Sequence, residues 1–76
     1  MRGAYSAAGE AEALAGALWD LAQRDGFYVN RSDFDAALRF APCADGVRIE
    51  VYAELGENLL VWARQKGVLQ LKHPEG

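Results

Sequence analysis

The chain is poor in the residues that build most active centres. Its 76 residues include one cysteine, Cys43, one histidine, His73, and 8 lysines and arginines against 11 aspartates and glutamates. A single cysteine excludes an internal disulfide and gives no sign of an oxidising compartment. Metal ions need several convergent ligands at fixed spacing. Cys43 and His73 stand thirty residues apart, so neither a metal nor a cofactor is expected. With a net charge of −3 and a pI of 4.9, cations are too few to neutralise phosphates. That disfavours DNA and gives anionic membranes nothing to attract. The longest apolar runs, residues 13–19 and 59–63, fall far short of the roughly 20 residues that span a bilayer. The first ten residues lack a signal-peptide core, and Glu10 and Glu12 stand where one would continue. Cytoplasmic residence is the expectation.

Catalytic patterns are missing as well. No two glycines have the spacing of a P-loop or a dinucleotide fingerprint. Ser6 lies in a weakly patterned N-terminus and Ser32 at a helix cap, neither in the context of a nucleophile elbow. Carboxylates are plentiful, but acid–base work needs two of them in a cleft with separated pKa values. The chain is therefore not expected to be an enzyme.

What is present is apolar periodicity. Hydrophobic residues make up 51% and charged residues 25%, the balance of a globular domain. A chain this short buries only about 60% of the surface its unfolded form exposes, so nearly every large apolar side chain is needed for structure. Leu14, Leu18 and Leu21, with Ala11, Ala15 and Ala22, form one helical stripe over residues 9–25, and Asp25-Gly26 supplies the stop. Phe27, Tyr28 and Val29 make a short aromatic link. Ser32 reads as the cap of a second helix, with Asp35 near its free amides. Phe34, Ala37, Leu38 and Ala41 form that helix's stripe, and Pro42 ends it. A turn through Gly46 follows, with Asp45 placed to cap a long third helix over residues 47–66.

In that third helix Ile49, Val51, Tyr52, Leu55, Leu59, Leu60, Trp62 and Ala63 share one half of the circumference. Val47, Ile49 and Val51 also alternate with Arg48, Glu50 and Tyr52 in the manner of a strand. Length favours the helix, because about 20 residues keep the helical period and only six keep the strand period. Gly67 closes the helix, and Val68, Leu69, Gln70 and Leu71 form a short extended or helical tail. The expected fold is mainly α: a small helical domain of three main helices with a short terminal extended segment, and a winged helix as the alternative. Residues 1–8 are a flexible lead, 9–72 the domain and 73–76 a frayed end. The expected core joins Leu14, Leu18, Leu21, Phe34, Leu38, Ile49, Tyr52, Leu55, Leu59, Trp62 and Leu69. Trp19 sits at the edge of the first stripe.

On this helix Glu50, Glu54 and Glu57 lie opposite the apolar stripe. Val61 stands among them, where a solvated face has no need of a β-branched apolar residue. These four residues are the candidate partner-binding surface, suited to a basic patch on another protein. Arg31, Arg39 and Arg48 are placed to gather around the second helix and its following turn, which would make the surface two-signed.

Two families share parts of this pattern. Arg31 to Phe40, with its polar cap and closing Arg-Phe pair, and Leu59 to Leu69, with Trp62-Ala63 followed by Gly67 and Leu69, resemble the effector-associated domains. These are small, death-fold-like helical modules of bacterial conflict and signalling proteins. The resemblance implies a non-enzymatic adaptor that tethers an effector to a sensor, through self-association or paired contacts. The order helix, short Phe-Tyr-Val strand, capped helix, turn, long helix and terminal strand is similar to a winged helix-turn-helix. That likeness implies a recognition helix in the major groove, but Glu50, Glu54 and Glu57 would repel phosphate there. Size and acidity also resemble the small inhibitor proteins of phages, which present carboxylates to surfaces that normally hold nucleic acid.

Overall fold

The computed structural model describes residues 1–74. It is a mixed α/β domain, not a mainly α one: seven elements run β1 (Gly3–Ala7), α1 (Ala11–Arg24), α2 (Arg31–Ala37), β2 (Leu38–Cys43), β3 (Gly46–Val51), α3 (Glu54–Gln65) and β4 (Leu71–Pro74). The strands form one antiparallel sheet in the order β2-β3-β1-β4. With α1 and α2 bridging β1 to β2, and α3 bridging β3 to β4, this is the split βαβ arrangement of ferredoxin-like folds. It is neither a helical bundle nor a winged helix.

The largest departure from the sequence expectation is in residues 47–66. Val47, Ile49 and Val51 are fully buried while Arg48 and Glu50 turn to the other side, the period of two that a half-buried strand imposes. The chain leaves the sheet at Tyr52, and α3 begins only after Ala53, its N-cap. The helical period nevertheless passes unbroken through this junction, since Val51, Leu55 and Leu59 lie four residues apart. Two members of the expected core are consequently outside it: Tyr52 is 41% and Leu55 43% exposed. Trp62 is only half-buried, packed against the core's edge.

A second departure is at residues 38–43. α2 ends at Ala37, and Leu38 already has extended backbone (φ −137, ψ 133). Helix passes to strand with no loop between them, and Pro42 stands inside an edge strand, a position that tolerates it. Asn30, not Ser32, caps α2, its Oδ1 accepting the Ser32 N–H at 3.0 Å. Asp45 caps no helix; it lies in the β2–β3 turn. A Cβ on Gly46, whose φ is +152, would collide with the Ala7 carbonyl, so this hairpin meets β1 only with glycine there.

The third departure concerns the lead over residues 1–8. Gly3–Ala7 is an interior strand, paired with β3 on one side and β4 on the other. Of the expected frayed end, residues 73 and 74 belong to β4, and residues 75 and 76 lie outside the described residues.

The stops are where the glycines put them. Gly26 (φ 79) and Gly67 (φ 75) follow α1 and α3 in the left-handed region. All three helices contribute to a core that covers one face of the sheet: of the expected core, Leu14, Leu18, Leu21, Phe34, Leu38, Ile49, Leu59 and Leu69 are buried there, with Leu38 and Ile49 on strands and not on the helices expected to carry them. Phe34 is its aromatic hub, with ring centroids of Trp19 at 5.3 Å, Tyr28 at 6.0 Å and Phe40 at 6.1 Å. The end of α1 is tied to α3 by the Trp62 indole N–H, which donates to Asp25 at 2.6 Å. Among the described residues no helix lies on the opposite face of the sheet.

Candidate functional site

The uncovered face is set by strand alternation. Because Val47, Ile49 and Val51 point to the core, Arg48 and Glu50 point away from it. The cross-strand partners of these two, Ser6 and Ala4 on β1 and Ala41 and Arg39 on β2, share their side. The face thus has two rows, Arg39–Glu50–Ala4 and Ala41–Arg48–Ser6, with small side chains forming a shallow floor.

The charged groups on this floor are linked. The Arg48 guanidinium lies 3.3 Å from Glu50, and the Tyr52 hydroxyl donates to the other Glu50 oxygen at 2.7 Å. Lys72 donates to the Asp45 backbone carbonyl at the hairpin tip, and its ammonium is 3.4 Å from the Asp45 carboxylate. The Tyr52 hydrogen bond, seconded by the one from Arg48, holds the Glu50 carboxyl below its usual value. The same bond to Glu50, aided by desolvation, raises the Tyr52 phenol. Glu50 therefore remains an anion and Tyr52 a donor across the physiological range.

The linkage has a sign. A carboxyl lowered on folding favours the fold above its ordinary value, and that contribution is lost as pH falls through the lowered folded value. Tyr52→Phe removes the main cause, so the Glu50 titration followed by carboxyl carbon NMR is expected to move up toward an ordinary glutamate. An unchanged midpoint would show that Tyr52 does not hold Glu50.

The four residues expected to form one acidic face are divided by the sheet. Glu50 is on the open face. Glu54, Glu57 and Val61 remain together along α3, in the helical layer. Val61 is 52% exposed, but the ridge around it is not purely acidic. Arg2 reaches between the two glutamates, 3.8 Å from Glu54 and 3.4 Å from Glu57, and the Tyr5 hydroxyl donates to Glu57 at 3.1 Å. Burial, then this bond, raises the Tyr5 phenol. Glu57 thus serves to fasten α3 to β1.

The arginines divide as well. Arg39 and Arg48 lie on the open face. Arg31 lies in the helical layer, paired with Asp35 at 2.9 Å and set over the Trp19 and Phe34 rings at 5.5 and 5.4 Å. Trp19, half-buried, serves the core. Cys43 is exposed. Among the described residues no group of three or more histidines, cysteines or carboxylates is disposed to hold a metal ion, and no helix is long and apolar enough to cross a membrane. From sequence, Tyr52 belongs to the expected core and Lys72 has no assigned role. The alternation Arg48, Glu50, Tyr52 carries the signal for the first; nothing local marks Lys72.

Comparison with protein-family models, with curated proteins and with solved structures finds no match to this chain.

Proposed function

We propose that the chain is a non-enzymatic, cytoplasmic protein–protein interaction module that docks a partner on the open face of its sheet. The observation that carries this reading is the linked set Arg48–Glu50–Tyr52, with Lys72–Asp45 beside it, spread over a floor of small residues. Fixed opposite charges on a flat face set register and encounter rate for a complementary surface. Nucleic acid fits this face poorly. Single-stranded RNA bound on a sheet stacks on aromatic rings of the central strands, and the corresponding positions here are Ala4, Ser6, Arg48 and Glu50. The implied role is an adaptor, in keeping with the tethering function of the effector-associated domains that parts of the sequence resemble.

Arg48→Glu with Lys72→Glu tests the reading against Glu54→Lys with Glu57→Lys. Partly exposed pairs contribute about 0–1 kcal/mol each, so both double variants are expected to stay folded, checked by far-UV circular dichroism. Each is immobilised and offered host extract beside the wild-type chain. The sheet-face variant is expected to lose the protein that the wild type retains, and the α3 variant to keep it. Equal retention by the sheet-face variant, or binding of generic RNA or duplex DNA at physiological salt, would overturn the reading.

A further inference from the structure

β2 is an edge strand, and its free edge has an unusual hydrogen-bonding profile. The N–H of Arg2 donates to the Val51 carbonyl, and that of Tyr52 to the Ala37 carbonyl. Val47, Ile49 and Val51 therefore direct their backbone groups toward β1, and Gly46, Arg48 and Glu50 toward β2. Their β2 partners, Cys43, Ala41 and Arg39, bond inward. Leu38, Phe40 and Pro42 then face outward. Pro42 has no N–H, and the Leu38 N–H is already committed to the Phe34 carbonyl. Leu38 is buried, so the accessible outer edge offers two carbonyls, those of Phe40 and Pro42, and one donor, the Phe40 N–H.

Beside this edge runs a shallow groove of about 260 Å³, between the first turns of α1 and β2. Ala11 and Ala15 keep its α1 wall low, and Leu38 and half-buried Phe40 give it an apolar base. Glu12 and Asp35 line it. Asp35 is paired with Arg31, whereas Glu12 has no cationic partner among the described residues. Exposed Arg39 stands at the boundary with the open sheet face.

We infer that this edge and groove take up an extended segment of a partner protein as a fifth, antiparallel strand. A second copy of this chain is the poorer occupant, because each copy brings one outward donor and self-pairing makes at most two hydrogen bonds. A foreign strand brings its own donors. Opposite Phe40 it exchanges two bonds, and the residue opposite Pro42 donates to the Pro42 carbonyl, three bonds in all. Its side chains alternate: those on the groove side meet Phe40 and Leu38 and, at an end, Glu12, while those on the other side meet Arg39. The matching chemistry is an apolar residue flanked by lysine or arginine on one face, with acidic residues on the other. The inference rests on the interaction-module reading but uses a different surface.

The probe is the synthetic peptide acetyl-Lys-Glu-Val-Glu-Val-Glu-Lys-amide, titrated into the isotope-labelled full chain and followed by amide NMR. Shifts are expected at residues 38–42 and 11–15, with hydrogen exchange of the Phe40 amide slowed about tenfold at a peptide concentration of about 1 mM, in the range of weak binding. Ala15→Arg fills the groove with a good helix former and is expected to abolish these shifts while keeping a native spectrum. Pro42→Val restores an outward donor and is expected to increase self-association in sedimentation relative to the wild-type chain. Three results would overturn the inference: no shifts along β2, equal shifts with the charge-swapped peptide, or a wild-type dimer whose Phe40 amide is already protected. A host partner that Ala15→Arg retains and Arg48→Glu with Lys72→Glu loses would leave the module reading standing and remove the added strand.

Discussion

A chain that starts at Gly9 is expected not to fold. Its missing residues look dispensable in sequence, being mostly small, weakly patterned and terminal. In the structure they supply β1, which lies between β3 and β4. Without β1, β3 loses five paired positions from Gly3↔Val51 to Ala7↔Val47, and β4 loses the strand it pairs with. Ala7, fully buried, leaves a gap beside Val47, and Glu57 loses the Tyr5 hydroxyl that anchors it. Buried backbone groups left unpaired cost about 1–3 kcal/mol each. Several such losses exceed the roughly 4–11 kcal/mol expected for the whole stability of a 76-residue domain. Far-UV circular dichroism and amide NMR should show a disordered chain. A dispersed, native-like spectrum from the truncated chain would mean that β1 is an accessory strand.

Phe34→Ala is expected to be nearly as damaging. Phe34 is 1% exposed and touches the rings of Trp19, Tyr28 and Phe40, so its loss opens a cavity where α1, α2 and β2 meet. Truncating a buried phenylalanine costs about 3–5 kcal/mol, and the aromatic pairs add about 0.5–1.5 kcal/mol each beyond area burial. Against a total of about 4–11 kcal/mol, the variant should be largely unfolded at 37 °C or lose most of its urea midpoint. Leu55→Ala supplies the contrast. Leu55 belongs to the helical stripe of the sequence but is 43% exposed, and a change at such a position costs about 0.5 kcal/mol or less. Similar midpoints for the two variants would contradict this partition of the apolar residues.

Much of the core was legible because a buried residue obeys its element's period whatever the tertiary fold. Leu14, Leu18 and Leu21 lie i, i+4 and i+7 on α1, and the glycines at 26 and 67 terminate helices by a purely local rule. The sheet was not legible, for three separate reasons. Apart from Tyr5, β1 has small residues where strands usually carry β-branched or aromatic ones; pairing on both sides, not propensity, makes it a strand. β2 follows α2 without a break, and Phe34, Ala37, Leu38 and Ala41 satisfy a helical spacing that tertiary packing overrides at Leu38. β3 and α3 join in phase, so residues 47–66 keep a helical period long enough to mask the strand followed by a shorter helix.

The same in-phase junction hides the site. Glu54, Glu57 and Val61 do share a helical ridge, but Glu50 obeys the strand period and falls on the other side of the sheet. There Tyr52 and Arg48, its i+2 and i−2 neighbours, become its partners. Reading residues 47–52 with a period of two brings Arg48, Glu50 and Tyr52 to one face. Lys72 could not be placed without the tertiary fold, because only the β1–β4 pairing carries it toward the hairpin tip.

The uncovered face, its charge network and the free edge of β2 all depend on β1 filling the centre of the sheet. Native-state amide hydrogen exchange tests that most directly. Gly3, Tyr5 and Ala7 face β3 with their backbone groups, so the Tyr5 and Ala7 amides are expected to exchange as slowly as those of Ile49 and Leu59, close to the limit set by global unfolding. Free exchange of Tyr5 and Ala7, at rates like those of an unstructured terminus, with Ile49 still protected, would contradict the sheet and the open face built on it.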